Sequence, residues 1–136
     1  MDLNVILQEI DVQADWIGLR EVKETATVRA VRDGHPQANM AETTQGLMVE
    51  VLADGQFSYF GTNSMDMSSV QHAAELAVKQ ARNAAKHAVF SFDEDARPKA
   101  VGSYQSSFEN DSSTMTAGEI NHVLVKAHDA LKVSDK

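Results

Sequence analysis

The dipeptide Asp54-Gly55 constrains this chain more than any other feature. It separates two apolar-rich runs, GLMVEVLA and QFSYFGT. A two-residue type I′ hairpin turn needs positive φ at both central positions, and Asp-Gly meets that need at little steric cost. Once the turn is set, the register follows. Val51 faces Ser58, Val49 faces Phe60 and Leu47 faces Thr62. On the other side of the ribbon Leu52 faces Phe57 and Glu50 faces Tyr59, with Met48 nearby. Both faces carry apolar weight, whereas a sheet with one wet face alternates more cleanly. The pattern predicts helices over one face and, over the other, either the 90–110 segment or another polypeptide.

The helix on the first face is written directly after the hairpin. Val70, Ala73, Ala74, Ala77, Ala81, Ala84, Ala85 and Ala88 recur at three- and four-residue steps and share one stripe. Side chains this small let a helix lie close to strands. Upstream, Asp33-Gly34 is a second hairpin signal, 21 residues before the first. Together the two turns predict an antiparallel meander with strands over 16–25, 26–32, 35–44 and 47–62. The last span holds both arms of the second hairpin, and 16–32 can be one long bent strand. Pro36 cannot donate to a ladder, so its strand is an edge there. Residues 2–14 read as a first helix, with Leu3, Ile6, Leu7, Ile10 and Ala14 on one stripe and Asp2 as its cap. Thr116 and Glu119 form a capping box before a last helix striped by Ile120, Val123, Leu124, Ala127 and Leu131. Between these, 89–114 is irregular, with a possible strand at 100–105 and a polar linker from Glu109 to Thr114. The fold class expected is α+β: a meander of four to five strands, an N-terminal helix, a long Ala-faced helix and a C-terminal helix.

Composition narrows the function classes. A chain of 136 residues fits one domain, with an α+β core over 1–114 and a C-terminal helix over 115–136. A net charge of −8 with no Lys/Arg cluster opposes a nucleic-acid module, because phosphate binding needs a basic face. The absence of cysteine removes disulfide frameworks and thiolate zinc sites. No basic leader opens the chain and no apolar run has bilayer length, so a cytoplasmic location is expected.

Few residues offer chemistry. His72 and Glu75 lie at i and i+3 on the polar side of the central helix, a spacing that can hold two metal ligands. Zinc takes four donors and no second motif supplies the rest, so a solvated face with Lys79, Arg82 and Lys86 is the simpler reading. Asp93 and Asp95 are two carboxylates for a hard cation, without the further spaced carboxylates or the glycine of a calcium loop. His122 and His128, six apart, do not align on one helix face. There is no nucleophile elbow or phosphate loop. No catalytic, cofactor-binding or metal residue is assigned. Trp16, Phe57, Tyr59 and Phe60 read as core or interface aromatics, and exposed Met48, Leu52, Phe57 and Tyr59 would make a self-association patch.

Several stretches taken in order resemble the N-terminal domain of the TldD/PmbA family, the "modulator of DNA gyrase" metallopeptidases. ADWIGLR at 14–20 is similar to the family's first strand after helix one, and VRDG at 31–34 to its first hairpin. TTQGLMVEVLADGQFSYFGTN at 43–63 resembles its glycine, strand, Asp-Gly turn, aromatic strand and Thr-Asn ending. HAAELAVKQAR and TAGEINHVLVKAHDAL fall where the family places helices. Ser58-Tyr59-Phe60 departs from the Gly-Phe pair common there. The resemblance implies a two-domain subunit whose peptidase members carry an HExxxH zinc motif towards the C-terminal domain and act as paired subunits on unfolded peptides. This sequence has no HExxxH, and His35, His72, His87, His122 and His128 match no part of it. The resemblance therefore implies a non-catalytic N-terminal domain with no cofactor of its own, zinc belonging to the family's C-terminal region. Its implied partners are the C-terminal domain of the same subunit, a homologous partner subunit and unfolded peptide, without direct nucleic-acid or membrane contact. A stand-alone interaction or dimerisation module is the alternative reading.

Overall fold

The computed structural model describes residues 2–97 and 99–131. The elements run α1 (Leu3–Glu9), β1 (Trp16–Arg32), β2 (His35–Ala53), β3 (Gln56–Thr62), α2 (Met67–Ala85) and α3 (Ala117–Ala130). Its three strands form one antiparallel sheet in the order β1-β2-β3. By internal contacts the chain divides into two units, Met1–Glu24 with Thr44–Val101, and Thr25–Thr43 with Gly102–Lys136.

Both Asp-Gly turns form as two-residue connections. The φ angles are 51° and 76° at Asp33 and Gly34, and 51° and 74° at Asp54 and Gly55, all left-handed as a type I′ turn requires. The β2–β3 register is the expected one, from Leu47 opposite Thr62 through Val51 opposite Ser58 to Ala53 opposite Gln56. The expected count of four to five strands is not met. β1 and β2 each run unbroken across the positions where a break was placed, because neither 24–26 nor 43–46 holds turn chemistry strong enough to interrupt a hydrogen-bonded ribbon. β3 pairs with β2 only from Leu47 to Ala53. Pro36 thus falls where β2 has only β1 beside it, and its missing N–H costs no ladder bond.

In the first unit, Leu47, Val49, Val51 and Ala53 point to one side of β2 and are buried. They meet α2 through Val70, Ala73, Ala74, Ala77, Val78 and Ala81. Four alanines in that contact hold the helix close to the sheet, where Ser58 is 4% exposed. Val78 belongs to the stripe, whereas Ala84 is exposed and Ala88 lies beyond the helix end. Ile6 of α1 is buried in the same core, with Ile17 and Leu19 of β1 against it. α1 is shorter than the expected 2–14. Asp2 caps it by accepting the Asn4 N–H at 2.9 Å, but the chain turns extended at Ile10. Ile10, Val12 and Ala14 then pack on the core at a period of two. Their extended backbone is satisfied from α2: Asp11 N–H donates to Gln71 Oε1 at 3.0 Å, Gln71 Nε2 to Asp11 O at 2.8 Å and Arg82 Nη2 to Gln13 O at 3.1 Å.

The opposite face of the sheet is covered in part by the chain that follows α2. Phe57 meets Trp16 edge-on at 6.0 Å between centroids and Phe92 at 5.5 Å, and Phe90 lies 4.9 Å from Phe92. Phe92 N–H donates to Gly55 O at 2.8 Å, and Gln56 Nε2 to Phe90 O at 2.7 Å. Arg97 closes this strap, 5.1 Å above the Phe57 ring and 2.7 Å from Glu50 Oε1. Of the two coverings expected for this face, the 90–110 segment supplies one through its first eight residues. The strand expected at 100–105 does not form. Val101 and Tyr104 are 90% and 88% exposed, with no neighbouring strand to pair.

In the second unit, the hairpin arms around Asp33-Gly34 are tied by the Thr25–Thr43 hydroxyl pair at 3.0 Å and by Arg29 Nη1 donating to Met40 O at 2.7 Å. α3 starts at the expected capping box. Glu119 N–H donates to Thr116 Oγ1 at 3.3 Å, and Thr116 N–H donates to Glu119 Oε2 at 2.7 Å. The His128 ring lies beside Gly34, close enough that a Cβ there would sit 3.7 Å from it. No described residue of this unit is fully buried.

Candidate functional site

The pairs that invited a metal reading are solvated. His72 Nδ1 and Glu75 Oε2 are 4.0 Å apart, with side chains 70% and 57% exposed. Glu75 also accepts Gln71 Nε2 at 3.0 Å, so it belongs to the polar surface of α2. Asp93 precedes a single 3₁₀ turn, Glu94–Ala96, and Glu94 pairs with Lys99 at 3.3 Å. His122 is exposed, and His128 is half-buried beside Gly34. Among the described residues no three His, Cys, Asp or Glu side chains converge as a cation site.

The N-terminus of α2, a place where anions bind in other folds, is filled by its own cap. Asp66 accepts from the hydroxyls of Ser64, Ser68 and Ser69 and from the Ser69 N–H at 2.9 Å. These bonds, the Ser64 hydroxyl first, hold its carboxyl well below the ordinary value of 3.8. A cleft beside α2 brings Lys79, Arg82 and Lys86 together with Asp11, Asp54 and Glu75, three cations balanced by three anions. That balance gives it no electrostatic preference for a charged ligand.

A second concavity lies on the strap side of the sheet, beyond the aromatic cluster. It is a groove of about 690 Å³ lined by Arg20, Val22, Met48, Tyr59, Gly61 and Asn63, among others. All three strands contribute because side chains two apart on a strand share a face. Tyr59 is 63% exposed, and Arg20 Nη2 lies 3.7 Å from Met48 Sδ. Gly61 leaves the floor open. Beside the groove, β3 is hydrogen-bonded on one side only, to β2. The expected four-residue patch is thereby corrected. Leu52 is 1% exposed and Phe57 is engaged by Trp16, Phe92 and Arg97, leaving Met48 and Tyr59 of the four at the groove. Arg20 and Val22 were not singled out from sequence. The alternation of β1 carries the signal for both, but only the fold places that strand beside Met48.

No helix among the described residues is long and apolar enough to cross a membrane. No curated protein matches the sequence. Among solved structures, TldE from Thermococcus kodakarensis is similar over 88% of this chain, with a TM-score of 0.44 and 15% identity. The chain spans 25% of the length of that protein, and a likeness this slight carries no functional inference. The family match is more direct: residues 19–81, from β1 through the buried part of α2, match the profile described as PmbA/TldA metallopeptidase domain 1. That segment, just under half of the chain, is similar to the first domain of the PmbA/TldD metallopeptidase family.

Proposed function

We propose that this chain is the non-catalytic N-terminal domain of a TldD/PmbA-type metallopeptidase subunit, contributing to subunit pairing and to the access of unfolded peptides to a proteolytic site carried elsewhere. The match of residues 19–81 to the first domain of a metallopeptidase family carries this reading. The open sheet surface supports it. An unfolded peptide presents unpaired N–H and C=O groups along its whole length, and an unpaired strand edge is complementary to them. The one-sided β3 and the groove at Met48 and Tyr59 lie side by side, so backbone pairing and a side-chain pocket are available together. In this reading the zinc and its ligands belong to the C-terminal region of the subunit, and that region and a homologous subunit are the protein partners.

The test is titration of the chain with a fluorescent unfolded peptide, followed by incubation with added zinc. Binding weakened at least fivefold by Tyr59→Asp, with no cleavage, is expected. Zinc-dependent cleavage abolished by a substitution within these 136 residues would overturn the non-catalytic role, and absence of peptide binding would overturn the access role.

A further inference from the structure

β1 is the longest unpaired edge in the molecule's sheet. It is hydrogen-bonded to β2 on one side, and among the described residues no other backbone bond reaches its 17 residues. Such an edge is a template for another strand unless something blunts it. β1 has no proline and no interruption. Its charges instead have a two-fold pattern. Residues 20–24 read Arg-Glu-Val-Lys-Glu. Laid antiparallel against the same strand of a second copy and centred on Val22, Arg20 falls opposite the second copy's Glu24, Glu21 opposite its Lys23 and Val22 opposite its Val22. The symmetry repeats each charged pair, giving four opposite-charge pairs around one apolar contact. Opposite charges directly across strands stabilise, and like charges destabilise.

The neighbouring registers are all worse. Moving the centre half a residue forward sets Glu21 against Glu24, and half a residue back sets Arg20 against Lys23. A whole residue either way places Glu21 against itself or Lys23 against itself. Of these five registers only the Val22-centred one is free of a like-charge pair. The groups are also available for it. Arg20, Val22, Lys23 and Glu24 are exposed, Glu21 is half-buried, and among the described residues none of these charges is in an ion pair.

We propose that β1 pairs edge to edge with β1 of a second copy of this chain, antiparallel and centred on Val22, joining two three-stranded sheets into one. The contact is self-complementary, as a two-fold dimer interface must be. It deepens the pairing part of the function proposed above and rests on it, while peptide capture is tested separately.

The chain contains no cysteine, so a single introduced thiol reports its own proximity. Val22→Cys sits on the proposed axis, where paired Cα atoms about 4.5–5.5 Å apart allow a disulfide. Thr27→Cys is the off-axis control, its symmetry mate ten positions away along the ladder. Mild oxidation should cross-link the first variant to a dimer and leave the second monomeric. Sedimentation of the unmodified chain should show a dimer, weakened at least tenfold by Arg20→Glu or Glu24→Arg and restored to within about threefold when both are combined. Circular dichroism of each variant checks that the fold is retained, and rescue by the double variant excludes misfolding as the cause of dissociation. A chain monomeric at every concentration, equal cross-linking of both thiols, or failure of the double variant to restore the dimer would overturn the proposal. A monomeric Glu24→Arg variant, altered outside the groove, that still binds the unfolded peptide would separate failure of pairing from failure of peptide access.

Discussion

Gly18 shows how one missing Cβ shapes the strap side of the sheet. A Cβ there would collide with the Trp16 ring, so the indole lies over the glycine and from there reaches Phe57. Gly18→Ala should push the ring off without disturbing the opposite core. As Trp16 is the sole tryptophan, the expected result is a red-shifted emission with unchanged far-ultraviolet circular dichroism. Gly55 is constrained twice. Its φ is 74°, and a Cβ would come within 2.7 Å of Ser91 as the strap crosses the turn. Gly55→Ala should cost about 1–2 kcal/mol from backbone conformation, before any displacement of Ser91; urea unfolding measures it. Ala77 is fully buried between α2 and the sheet. Ala77→Leu adds volume where neither element can retreat freely and should destabilise by about 1–3 kcal/mol in the same assay. The role of Ala77 was legible from helical periodicity, and that of Gly55 from turn chemistry. Gly18 was not, because nothing in a linear reading shows which way a neighbouring indole folds.

At the scale of elements, local signals were read well and continuity was read poorly. Two Asp-Gly turns, one capping box and one alanine stripe each carry their information within a few residues, and each formed where expected except that the stripe ends before Ala84 and takes in Val78. The strand count failed because breaks were placed between 25 and 26 and between 44 and 47, while a ribbon held by its partner needs no apolar residue at every step. α1 was drawn too long because Ile10 and Ala14 suit a helical stripe as well as a period of two, and the deciding groups, Gln71 and Arg82, lie some sixty residues away. The α2 start gives a pH prediction. The bonds from Ser64, Ser68 and Ser69 depress the Asp66 carboxyl, so its contribution is fully present above pH 3.8, its ordinary value, and is lost as pH falls towards its depressed native value. Asp66→Asn keeps an acceptor for the Ser69 N–H but cannot titrate. Its stability should therefore fall less steeply than that of the parent below pH 3.8, measured by thermal melts. Asp111, held low by the Ser113 hydroxyl and N–H, and Glu119, held low by the Thr116 N–H and hydroxyl, titrate in both proteins and cancel.

Across the whole molecule, burial is concentrated in one of the two units. Among the described residues every fully buried one, from Ile6 through Leu47, Val49, Val51, Leu52, Ala53 and Ser58 to the α2 stripe, belongs to the first. Burial of Val, Leu and Ile side chains, roughly 1.5–3 kcal/mol each, is what keeps backbone hydrogen bonds closed. The second unit has the same kinds of hydrogen bond, a two-residue turn, a strand ladder and a capped helix, but only half-buried contacts such as Ile120, Leu124 and His128 beneath them. Regular secondary structure alone does not resist opening, since isolated hairpins and fourteen-residue helices are marginal in water. Hydrogen exchange should therefore divide the long strands along their length. Amides of 47–53 and 70–81 should be the slowest, whereas those of 25–32, 35–43 and α3 should exchange at least a hundredfold faster. Equal protection along the full length of β2 would mean that the distal hairpin is held by more than its own contacts. The comparison is most direct within that strand, where one continuous ladder passes from unburied to buried surroundings and only the packing changes.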